Sequence, residues 1–108
     1  MDRLDGDQEL AVIVLNTFFE HIPNTIARLD ESLAKANPAE VVLHAHTIKG
    51  AAANAGGAAL SETARKIEME GREGNMASAA SLMPEILKRF ELFRIAAEKE
   101  GWIETKGH

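Results

Sequence analysis

Apolar residues recur at helical spacing along nearly the whole chain, and proline, glycine and capping residues mark where one helix gives way to the next. From Asp7 to Ile22 the positions Ala11, Val12, Val14, Leu15, Phe18, Phe19 and Ile22 cover an arc of roughly 160° at the ~100° per residue of an α-helix, with Asn16, Thr17 and Glu20 opposite. A stripe that wide predicts contact with two neighbouring helices. Pro23 permits a new start, and Ile26, Leu29 and Leu33 keep helical spacing up to Lys35. Asn37-Pro38-Ala39-Glu40 is a strong start signal, with Asn37 as N-cap, Pro38 at the first helical position and Glu40 in the first turn. The helix it opens runs to Gly56-Gly57, where a left-handed cap suits glycine. Ala58 to Glu70 forms the next helix, with Leu60, Ala64 and Ile67 as its apolar line, and it is expected to stop at Gly71. Asn75 caps the last helix, along which Ala79, Leu82, Met83, Ile86, Phe90, Phe93 and Ala97 alternate by three and four; Pro84 should bend it early.

Composition narrows the function classes. The 108 residues contain no apolar run read as transmembrane and predict one soluble domain over 1–108, with its core over about 7–100 and a frayed polar tail over 101–108. Aliphatics and alanine carry the apolar content and aromatics are only 5%, the composition of a helical bundle. A net charge of -5 argues against nucleic acid and anionic membrane surfaces as partners. With no cysteine there is no disulfide, thiol catalysis or thiolate metal site. The acidic start Met1-Asp2-Arg3-Leu4-Asp5-Gly6-Asp7 has no signal-peptide apolar region, so the expected location is cytoplasmic.

The chemistry concentrates around His46. Val42, Leu43, Lys49, Gly50 and Ala53 fall within about 60° of it on a helical wheel, while Val41, His44, Ala45, Ile48, Ala51, Ala52 and Ala55 fall on the other side. The helix thus has a core face that excludes His46 and a second face of aliphatic and tiny residues centred on it. A ring nitrogen of neutral histidine can attack phosphorus to give a labile phosphoramidate. Lys49, three residues on, is placed to offset the added negative charge. Gly50 and Ala53 remove bulk beside the ring, although a mid-helix glycine costs roughly 1 kcal/mol against alanine. An open shelf of this kind suits a second protein's active site closing over the imidazole.

The remaining histidines read differently. His44 lies on the core side, His21 at a helix end beside Pro23, and His108 in the tail. None of the four histidines has a glutamate three residues before it, as a bundle metal site would want, and no metal site is expected. The glycine pairs fit neither a P-loop nor a dinucleotide fingerprint, and no acidic cluster suits Mg2+. Metal and general acid for transfer must therefore come from a partner.

The run Ala45-His46-Thr47-Ile48-Lys49-Gly50-Ala51-Ala52, followed by Asn54 and Gly56, resembles the histidine-containing phosphotransfer (HPt) domain of multistep two-component phosphorelays. Leu4-Asp5-Gly6-Asp7, Phe18-Phe19 ahead of Pro23, the helix from Leu60 to Glu68 and Gly74-Asn75-Met76 agree, so the resemblance covers nearly the whole chain. It implies an all-α, antiparallel up-and-down four-helix bundle with a short N-terminal helical extension. It also implies that His46 is phosphorylated, that Lys49 neutralises phosphate and that Gly50 grants access. Family members accept phosphoryl from a receiver-domain aspartate and pass it to another receiver's aspartate, which supplies the Mg2+ pocket. The implied protein is a monomeric phosphocarrier and not an enzyme, with no cofactor of its own. Its partners would be response-regulator receiver domains and a hybrid histidine kinase, of which it could itself be a part. One departure is Ala55, where the family usually has a larger aliphatic.

Two alternatives stay open. The chemotaxis-kinase-type phosphoacceptor domain also carries a histidine beside Lys-Gly. A module that docks a receiver through Val42, Leu43, Ala53, Phe18 and Phe19 without being phosphorylated would show the same surface. A metal carrier using His44 and His46 would need residues about 200° apart on one helix to converge.

Overall fold

The computed structural model describes the backbone of residues 3–101 and the side chains of residues 10–101, and its described residues are helical without strands. The elements are α1 (Arg3–Ala34), α2 (Pro38–Ala55), α3 (Ala58–Arg72), α4 (Met76–Ser81) and α5 (Met83–Lys99). The expected tail over 101–108 lies outside the described residues except for Gly101.

The break expected at Pro23 does not occur, since α1 is a single helix of 32 residues with Pro23 inside it. Proline removes one backbone hydrogen bond and costs ~3 kcal/mol in a helix interior. Packing overrides that cost here. Leu15, Phe18, Ile22, Ile26, Leu29 and Leu33 form one buried line that keeps its phase across Pro23, while Pro23 itself faces solvent. The stretch Leu10–Ala34 is also long and apolar enough to cross a membrane by length and composition, at a mean hydropathy of 1.2, contrary to the expectation of no such run. Its core-facing line is covered by protein, chiefly α2.

The local signals around α2 hold. Asn37 Oδ1 accepts a hydrogen bond from the Glu40 amide at 3.2 Å, and Pro38 opens the helix. Gly56 closes it in the left-handed region at φ 92°, with the Gly57 amide donating to the Ala52 carbonyl at 2.8 Å. Instead of completing a capping box, the Glu40 side chain accepts from the buried Ser32 hydroxyl at 3.3 Å, which ties the end of α1 to the start of α2.

Two boundaries move. Gly71 does not end α3 but lies buried within it, and the turn falls to Gly74 at φ 76°. The last helix is interrupted at Leu82 and not simply bent, so that Pro84 sits in the first turn of α5, where the missing amide hydrogen is no loss.

The core joins Phe18, Ile22, Ile26, Leu29, Val41, Ile48, Leu60, Ile67 and Ile86. At one end all four phenylalanines cluster: Phe18 lies 5.6 Å from Phe93 and Phe19 5.6 Å from Phe90 between ring centroids, both edge-on. Ala55 is half-buried against this core, and the Phe93 ring presses on Gly57 so closely that a Cβ there would lie 2.8 Å from it.

Candidate functional site

Along α2, Val41, Ala45, Ile48 and Ala52 are buried, whereas Leu43, His46, Gly50 and Ala53 are exposed and Val42 and Lys49 half-buried. The two faces read from helical spacing are those of the folded helix. The His46 side chain is 61% exposed, and a Cβ placed on Gly50 would meet nothing within 4 Å. The imidazole therefore stands over open space in the middle of a rigid helix.

One ring nitrogen is not free. His46 Nδ1 lies 3.1 Å from Glu68 Oε2, on α3. The same carboxylate meets Lys49 Nζ at 2.8 Å through Oε1 and Arg72 Nη2 at 2.7 Å through Oε2. Glu68 is 4% exposed, so a buried carboxylate collects three basic side chains along one edge of the α2–α3 contact. Its Oε1 faces the Lys49 ammonium as an ion pair but without well-directed hydrogen-bond geometry. Burial pushes the Glu68 carboxyl up, but the contacts with Lys49, Arg72 and His46 outweigh it and bring it down to about 2. Glu68 is thus an anion at neutral pH. As an acceptor it places the ring proton on Nδ1 and leaves the Nε2 lone pair for chemistry.

Lys49 is expected from the sequence to offset the charge of an added phosphoryl group; its ammonium is engaged by Glu68, and an incoming phosphoryl group would share it. Glu68 and Arg72 escaped the sequence reading. The available signal was a carboxylate inside the apolar arc of α3, next to Ile67 and one turn past Ala64, where an unpaired charge would be prohibitively costly. Residues at about the same distance from the Gly56-Gly57 turn face one another, which brings Glu68 back to His46. The Ser61 hydroxyl, donating to the Lys49 carbonyl at 2.9 Å, makes a further tie between the same helices.

The other candidates separate. Leu43 is 58% exposed and, with Val42 and Ala53, flanks His46. Phe18, expected to dock a partner, is 5% exposed and belongs to the aromatic core, and Phe19 is half-buried in the same cluster. Their rings are consumed by packing against Phe90 and Phe93. His44 is half-buried, in a polar cleft with Arg28, Glu31, Ser32, Lys35 and Glu40. His21 is exposed and mid-helix, because α1 continues through Pro23, so no helix end acts on it.

The phosphorelay intermediate protein rdeA of Dictyostelium discoideum is 27% identical over 108 residues, an alignment that takes in 98% of this chain and 42% of the relative. The chain therefore spans less than half the length of that relative. No solved structure gives a significant match. Residues 13–96, which hold His46, Lys49, Gly50, Glu68 and Arg72, match the Hpt domain family, and the chain belongs to that family.

Proposed function

We propose that His46 is the phosphoacceptor of a phosphorelay carrier: it takes a phosphoryl group from a receiver-domain aspartate and passes it to the aspartate of another receiver domain. The observation that carries this reading is the exposed imidazole, held through Nδ1 by a buried carboxylate and bordered by the open shelf at Gly50.

In the forward step the Nε2 lone pair attacks the aspartyl phosphate. The N–P bond forms as the P–O bond to the aspartate breaks, and the aspartate leaves as carboxylate. The ring, protonated at Nδ1 from the start, becomes a phospho-imidazolium whose positive charge lies against Glu68. No proton needs to move, so the reverse step is open to any receiver whose carboxylate can reach phosphorus. A Mg2+ ion belonging to the receiver would supply charge neutralisation on the partner's side. Lys49 and Arg72 supply it on this side, and Leu43, Val42 and Ala53 form the docking rim.

The domain is a carrier with no turnover of its own, an up-and-down antiparallel bundle with an N-terminal helical extension. Its partners are receiver domains and a hybrid histidine kinase, and it works as a cytoplasmic monomer without nucleic acid or membrane.

The test is to mix the protein with a phosphorylated receiver domain and follow acid-labile, alkali-stable label. His46→Gln is expected to accept none. Label on that variant would refute the assignment, and receiver binding by the native protein without label would make it a docking module.

A further inference from the structure

Gly71 lies within α3, and the left-handed turn that follows belongs to Gly74. Backbone conformation thus does not require glycine at 71, and helix propensity disfavours it. Contact does require it. A Cβ on Gly71 would lie 2.9 Å from Val41 Cγ1 and 3.2 Å from Val42 Cγ2. Val41 is fully buried, and a β-branched side chain in a helix has essentially one comfortable rotamer, so it cannot swing aside. Any side chain at position 71 would have to lift the last turn of α3 off α2.

That turn carries the site. Glu68 precedes Gly71 by one helical turn on the same face, and His46 follows Val42 by one turn on the facing helix. We propose that Gly71 is a positioning residue for phosphoryl transfer: its missing side chain lets α3 close on α2 at the spacing that puts the Glu68 carboxylate on His46 Nδ1. This rests on His46 being the phosphoacceptor.

The three partners of Glu68 would not respond equally to a wedge. Arg72 shares its helix and moves with it, and Lys49 can follow on a flexible stem. His46 has a short side chain on the facing helix and makes the longest of the three contacts, at 3.1 Å, near the limit beyond which a hydrogen bond fails. A shift of a few tenths of an ångström would release His46 first. The ring would then be free to take the other tautomer, with its proton on the nitrogen that must attack.

The experiment compares the native protein, Gly71→Ala and the double variant Val41→Ala with Gly71→Ala, which removes the nearer of the two atoms the new methyl would strike, the one under 3.0 Å. Ring nitrogen chemical shifts of His46 report the tautomer in the unphosphorylated protein, and label transfer from a phosphorylated receiver reports function. Gly71→Ala is expected to keep its helicity, lose Nδ1-protonated tautomer and accept phosphoryl roughly tenfold more slowly, a loss in line with a small misplacement at a reacting centre. The double variant is expected to recover both readouts. A folded Gly71→Ala protein with native tautomer and rate would overturn the proposal, and so would a loss that the double variant does not restore. Should Gly71→Ala not fold, Val42→Leu presses on the same contact from α2 and must shift the tautomer. If the native protein accepts no phosphoryl, the phosphoacceptor reading fails, while the tautomer comparison still judges Gly71.

Discussion

Glu68 and His46 are separated by 22 positions in sequence and by 3.1 Å in space, and the carboxylate that holds the exposed ring is itself buried. One partner offers chemistry to solvent while the other fixes its proton and orientation from inside the protein.

Because this carboxylate is held at about 2 against an ordinary value of 4.5, it links folding to acid. A depressed folded value means that the contribution to stability is complete above about 4.5 and disappears as pH falls through about 2. Urea midpoints measured across that window should fall in the native protein. In Glu68→Gln, which cannot titrate there, the fall should be shallower; parallel curves would remove Glu68 from the acid response.

Lys49→Ala leaves Glu68 Oε1 buried without its cation. We expect a loss of about 1–3 kcal/mol in urea denaturation, the scale of leaving a buried acceptor without its partner, together with slower transfer. The Glu68 carboxyl should titrate higher, which carboxyl-carbon chemical shifts would show. An unchanged titration would reduce Lys49 to a solvated lysine.

A Cβ at Gly50 meets nothing within 4 Å, so Gly50→Leu begins in open space, and leucine is the better helix former by roughly 0.8 kcal/mol. Circular dichroism should show equal or greater helicity, while phosphoryl acceptance drops by at least roughly tenfold through steric exclusion of the partner. Normal relay by this variant would mean that the shelf is not used.

Ala36 adopts φ 52°, the one described non-glycine residue in the left-handed region, where it closes α1 with the Asn37 amide donating to the Ser32 carbonyl at 3.0 Å. Left-handed geometry costs an L-residue about 1–2 kcal/mol, partly offset in a glycine variant by greater unfolded-state entropy. Ala36→Gly should therefore stabilise the protein by up to about 1 kcal/mol in thermal or urea denaturation, with no effect on transfer.

The legible parts of this chain were the local ones. Asn37, Pro38 and Gly56 delimit α2 through hydrogen bonds made within a few residues, and the exposure of His46, Leu43, Gly50 and Ala53 follows from which side of one helix carries Val41, Ala45, Ile48 and Ala52. Periodicity places Phe18 and Phe19 on an apolar face but does not say whether Phe90 and Phe93 already pack against that face.

Residue order by itself therefore determined the helix α2, its caps and the outward direction of His46, since each depends on interactions spanning a turn or two. Only the tertiary structure decided that α1 runs through Pro23, that Gly71 is a contact and not a stop, and that Glu68 gathers His46, Lys49 and Arg72. Those outcomes depend on how closely separate helices approach, and that distance is set by side chains far apart in the chain.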